Sequence, residues 1–132
     1  MSDQTIKIKP QLLEQIKTLC KDNSDIILVS LCTTDGFSIM SYAAKSLSTE
    51  ADKLAAMSST ISALSDSVAT QILDDDFDIT IIEADHGNML FVSTRYLDNP
   101  CVLTLAAKSN TALATARYKT KGLAKSIESI EL

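Results

Sequence analysis

Three glycines in 132 residues are too few for a glycine-rich phosphate cradle, and no GxxxxGK[ST] string is present. The chain is therefore not expected to hydrolyse nucleotides itself. Tryptophan is absent, histidine occurs once, and there is no GxSxG elbow, no metal-ligand spacing and no acid/base pair beside a nucleophile. No enzyme activity, catalytic residue, cofactor site or metal site is expected on that basis. The single histidine, His86, falls in the turn ADHGN, away from any Ser, Cys or carboxylate pair, and reads as a turn residue. The acidic run DDDFDIT has neither the alternating oxygen ligands nor the turn glycine of a calcium loop, and reads as a solvated helix terminus.

No apolar run approaches the ~20 residues of a membrane span. The opening MSDQTIKIKPQ lacks the apolar core of a signal peptide. A soluble cytoplasmic protein is expected, with no membrane partner. Cys20, Cys32 and Cys101 are odd in number, widely spaced and set among apolar neighbours, as expected of buried thiols in a reducing compartment.

Positive charge is also short over most of the chain. Residues 1–88 carry 14 acids against 6 bases, whereas residues 89–132 carry 3 against 6, for a net charge of −5. An acidic chain is a poor duplex binder, so no nucleic-acid partner is expected. The length suits one domain over 1–132 with a core of its own, residues 1–9 forming a flexible N-terminus.

Periodicity then gives the order of elements. Pro10 opens a first helix to about Lys21, with Leu12, Leu13, Ile16, Leu19 and Cys20 on one face. IILVSLCT (Ile26–Thr33) is apolar at both parities and reads as a strand covered on both faces. Asp35-Gly36 signals a hairpin into a second strand, Phe37 to about Tyr42. A long helix over Ser48–Leu73, capped by Ser48 or Thr49, contains no Gly or Pro. FDITIIEA and MLFVSTR form a second hairpin, and CVLTLAA a fifth strand adjacent to the first. A last helix is expected from a cap near Ser109 or Asn110, with Leu113, Ala116, Leu123, Ile127 and Ile130 inward. Gly122 costs that helix up to about 1 kcal/mol relative to Ala. The reading is an α/β sandwich: a five-stranded antiparallel sheet with helices on both faces, in the order α-β-β-α-β-β-β-α.

The Ser48–Leu73 helix is the unusual element. Leu54, Met57, Ile61, Leu64, Val68 and Ile72 fall on one stripe, expected to cover the sheet. Most of its remaining surface is small, including Ala56, Ser59, Ala63, Ser67 and Thr70, where an exposed helix usually carries Lys, Glu or Arg. Tolerated surface residues are the simple explanation; close approach of a partner helix is the functional one. Arg117, Lys121 and Lys125 recur every four residues on the last helix, either as a solvated face or as a contact for an acidic partner. Arg95 at a strand end reads as a surface charge, or as a finger toward a partner GTPase, and Lys53 is a further candidate contact.

DGFSIMS after the first strand, the long Ala/Ser-rich helix, DITIIEADHGNMLFVSTR and CVLTLAA occur in an order that resembles the roadblock/dynein light-chain family, in its bacterial MglB-like branch. The resemblance covers residues 10–130. It implies a non-enzymatic domain that homodimerises through its third strand and second helix, here Phe77–Ala84 and Ser48–Leu73, and serves a small Ras-like GTPase. The expected interface is Ile79, Ile81 and Glu83 on the strand with Ala56, Ser59, Ala63, Ser67 and Thr70 on the helix. A small-molecule sensor with a pocket of Phe37, Met40, Met57 and Phe91, or a scaffold subunit without a GTPase, are the alternatives.

Overall fold

The computed structural model describes residues 6–43 and 50–131, and shows eight elements in the expected order. Pro10 begins α1 (Pro10–Asp22), whose missing N–H is no loss in a first turn, and Leu12, Ile16 and Cys20 are its buried face. β1 (Ile26–Thr33) turns into β2 (Ser38–Ala43) through Gly36, at φ 94°. A Cβ at Gly36 would stand 3.2 Å from Ser59 Oγ, so this glycine serves both the turn and the close approach of the next helix.

That helix, α2 (Ala51–Leu73), starts at a Glu50 cap; Ser48 and Thr49 lie outside the described residues. It stops where Asp74 adopts the left-handed conformation and Asp75 N–H donates back to the Ala69 carbonyl, an ending usually given to Gly but open to Asp. β3 (Ile79–Glu83) and β4 (Gly87–Tyr96) form the second hairpin, followed by β5 (Asn99–Lys108). α3 (Leu113–Glu128) begins later than the Ser109 or Asn110 cap suggests, because Thr111 N–H first closes a turn onto the Lys108 carbonyl.

The strands form one antiparallel sheet in the order β2-β1-β5-β4-β3. β1 and β5 are inner neighbours, and their residues at both parities are buried, as the unbroken apolar runs require. α1 packs on β1 and β2, and α3 on β4 and β5, enclosing the main core around Leu31, Leu90, Leu103, Leu105 and Ile127. α2 lies on the opposite face, with Ala55 closing a small cluster on Cys32 and Val102.

Residues 6–9 do not trail free. The buried Tyr96 hydroxyl accepts from Lys9 N–H at 2.8 Å and donates to the Lys7 carbonyl at 2.7 Å, while Ile6 packs against the core. No helix among the described residues is long and apolar enough to cross a membrane.

Candidate interaction surface

The seat of α2 reverses one expectation from the sequence. Its sheet-facing line is made of small residues, with Ala55, Ser58 and Ser62 buried. Opposite them the sheet presents hydroxyls on four strands and Phe91 on the other: the row Thr80, Phe91, Thr104, Ser30 and Ser41 runs across all five strands in register. Ser58 Oγ accepts from Thr104 Oγ1 at 2.9 Å, and Ser65 and Thr80 share a hydrogen bond of 2.5 Å. The helix therefore crosses the strands, with Ser58 above β5 and Ser65 above β3. Thr104 and Thr80 thus bond to helix hydroxyls, whereas Ser30 Oγ is buried without a hydrogen-bond partner among the described residues and Ser41 is exposed; a large aliphatic face would have left Thr104 and Thr80 without their partners too.

As a result, the apolar stripe is mostly not buried on the sheet. Leu54 is buried and Ile61 half-buried, but Met57 is 52% exposed, Leu64 62%, Val68 57% and Ile72 75%. Their exposure was missed in the sequence, although the stripe itself was visible. The signal that discriminates is the second line, Ala55, Ser58, Ser62, Ser65 and Ala69, at the same helical spacing and matched to the polar strand row.

The expected interface residues are distributed around this seat. Ala56, Ala63, Ser67 and Thr70 are exposed, and Ser59 is half-buried against Gly36 of the β1–β2 turn. By helical periodicity these five lie about half a turn from the apolar stripe. Ile79 and Ile81 are half-buried on edge strand β3 and Glu83 is exposed; β3 pairs only with β4 among the described residues.

The cations singled out from the sequence do not form one patch. Lys53 is exposed in the first turn of α2, on one layer. Arg95 is exposed at the end of β4, its guanidinium donating to the Asp98 carbonyl at 2.8 Å. Arg117 and Lys121 lie on the other layer, and both grip Asp78 at 2.9 Å. The acidic partner of two of these cations is thus within the chain. Lys121 foremost, with Arg117 adding to it, holds the Asp78 carboxyl below its ordinary value against the opposing effect of burial.

The thiols are poor nucleophiles as placed. Burial, with Cys101 adding to it and the Val102 backbone opposing, pushes Cys32 up to about 12; burial pushes Cys101 up to about 11 and also raises Cys20. The pocket expected of a sensor is not assembled either. Met40 packs with the α1/α3 core, whereas Phe91 pairs with Thr104 on the α2 side, so the sheet itself separates them.

No protein-family model and no curated protein matches the chain. Solved structures do. The chain superposes on the gliding protein MglB of Thermus thermophilus with a TM-score of 0.81 at 11% identity, over 97% of this chain and 96% of that one. It superposes on Myxococcus xanthus MglB with a TM-score of 0.79 at 17% identity, over 92% and 95%. A roadblock/LC7 domain from Streptomyces avermitilis gives 0.71 at 20% identity, over 84% and 89%. The fold is that of the roadblock domain. The roadblock fold thus accounts for this chain from α1 through α3, with an exposed aliphatic stripe on α2 and an open edge on β3.

Proposed function

We propose that this chain is a non-enzymatic homodimeric adaptor that binds a small Ras-like GTPase and modulates its hydrolysis by positioning residues rather than donating a catalytic group. The dimer rests on one observation: the stripe Met57, Leu64, Val68 and Ile72 stands open on the helix that crosses β3, whose outer edge is unpaired among the described residues. Antiparallel pairing of two β3 edges would satisfy their free N–H and C=O groups and continue the sheet through a two-fold axis. Ser65 seats α2 over Thr80, near the start of β3, so an axis through Ile81 sets the partner's α2 alongside, toward the Glu83 end. Ala56 and Ser59 face the Gly36 end; the stripe, about half a turn away, faces the neighbour. Complete burial of a fully exposed side chain of this kind contributes about 1.5–3 kcal/mol, and each of these, 52–75% exposed, contributes the corresponding part.

Light scattering tests the interface. The double substitution Leu64→Glu, Val68→Glu is expected to convert dimer to monomer while circular dichroism stays unchanged. Dissociation by Ala63→Arg alone would place the helix contact on the small flank instead, and a monomeric unmodified chain would refute the dimer. The GTPase reading draws on the likeness of this fold to MglB. It predicts that the immobilised protein retains a Ras-like GTPase better with a non-hydrolysable GTP analogue than with GDP. No nucleotide-dependent retention would leave a scaffold subunit.

A further inference from the structure

On the face of the sheet away from α2, two helices serve five strands. α1 packs on β1 and β2 and α3 on β4 and β5, but neither packs on β3. Ile79 and Ile81 of β3 share that face with the main core and stay only half-buried. A concavity of about 1130 Å³ runs along α3, from α1 residues such as Glu14 and Asp22 on one side to Ile81 of β3 on the other, and takes in Leu113 and Gly122. Open space surrounds Gly122, with nothing within 4 Å of where a Cβ would stand. Arg117, Lys121 and Lys125 form the wall on α3, one turn apart.

We propose that this bay receives an acidic amphipathic helix of a partner protein, lying beside α3 above β3, with its aliphatic side chains on Ile79, Ile81 and Leu113 and its carboxylates on Arg117, Lys121 and Lys125.

Space and charge select this occupant. Helices pack about 8–10 Å apart, roughly two strand widths, so one more helix beside α3 sits over β3 and overhangs the edge. On a chain whose net charge is −5, the α3 side toward β3 carries a row of cations, while Glu14 and Asp22 line the α1 side and keep an acidic helix to the β3 side. Two of those cations share a single carboxylate, and Lys125 forms no salt bridge among the described residues. Asp78 is 54% exposed on its side chain, and exposed pairs of this kind hold only weakly. An incoming carboxylate can therefore replace it. Glu83, exposed on the same face at the far end of β3, repels acids there and limits the acidic stretch to the length of the cation row. Pairing of β3 edges in the plane of the sheet leaves the face above it open, but a helix that overhangs the edge meets its two-fold copy there, so a dimer takes one such helix and a monomer also takes one.

The probe is a fluorescein-labelled synthetic helix of about 18 residues, with one stripe of Glu and one of Leu, followed by anisotropy on the full chain. Binding is expected, weakening as salt rises. Lys121→Glu with Lys125→Glu should weaken it about tenfold or more. Asp78→Asn, which frees both cations, should tighten it by a factor of about three, a gain that a purely structural role for the pair would not give. Equal binding of a version with Lys in place of Glu, indifference to the charge reversals, or no binding of the Glu peptide would each overturn the proposal. Binding to phosphatidylglycerol vesicles without binding to the peptide would overturn it in favour of a membrane-facing row.

Discussion

Tyr96 shows how much one hydroxyl can fix. Its two hydrogen bonds attach the segment leading into α1 to the end of β4, and Phe at this position would leave Lys9 N–H and the Lys7 carbonyl without that partner. Tyr96→Phe is expected to lower the unfolding free energy by about 1–3 kcal/mol in urea titration; an unchanged midpoint would refute the clamp. The thiols give a second expectation at this scale. With all three buried and held protonated at neutral pH, iodoacetamide should label the native chain far more slowly than the urea-unfolded chain. Asp78 gives a third. Its carboxyl is depressed in the fold, so its small stabilising effect is complete above the ordinary aspartate value and is lost as pH falls through the lower folded value. Being largely exposed, the pair adds little. Asp78→Asn should remove only a slight part of the acid sensitivity, and any gain in that sensitivity would contradict the pairing.

Among the elements, α2 separates what the sequence could reveal from what it could not. The strands, their hairpins and the β1–β5 adjacency were legible because parity and turn chemistry are local: Gly36 and the apolar runs of β1 and β5 state their own roles. The length of α2 was equally legible. Which of its faces meets the sheet was not, since that depends on the strand row it crosses, and Ser30, Thr80 and Thr104 are brought together only by register. The Ser58–Thr104 pair can be measured directly. Thr104→Val strands the Ser58 hydroxyl in a buried seam and should cost about 1–3 kcal/mol, whereas adding Ser58→Ala should recover part of that loss. Strict additivity of the two substitutions would argue against a polar seat for α2.

For the whole molecule, the two layers have different characters. The α1/α3 layer buries large aliphatic residues, whereas the α2 layer is seated on hydroxyls and small side chains and leaves its aliphatic stripe outside. The basic α3 row read from the sequence proves to be partly occupied by Asp78, a contact between residues 39 and 43 positions apart that no local pattern announces. If the α2 stripe closes only on a second copy, dilution should lower the melting temperature of the unmodified chain. The Leu64→Glu, Val68→Glu variant should melt at a concentration-independent temperature. Parallel behaviour of the two proteins would show that stability does not depend on association.

The Tyr96 clamp also orders events at the ribosome. Its hydroxyl closes a contact 87 residues back along the chain, onto the residues that lead into α1. At synthesis rates of about 5–20 residues per second, the first helix waits roughly 4–18 s for its clasp to be made. During that interval Leu12, Ile16 and Cys20 have no finished sheet to cover them. α1 is synthesised before every strand it packs on and is not secured until β4 is complete, so a nascent chain stalled before that point should engage chaperones through α1.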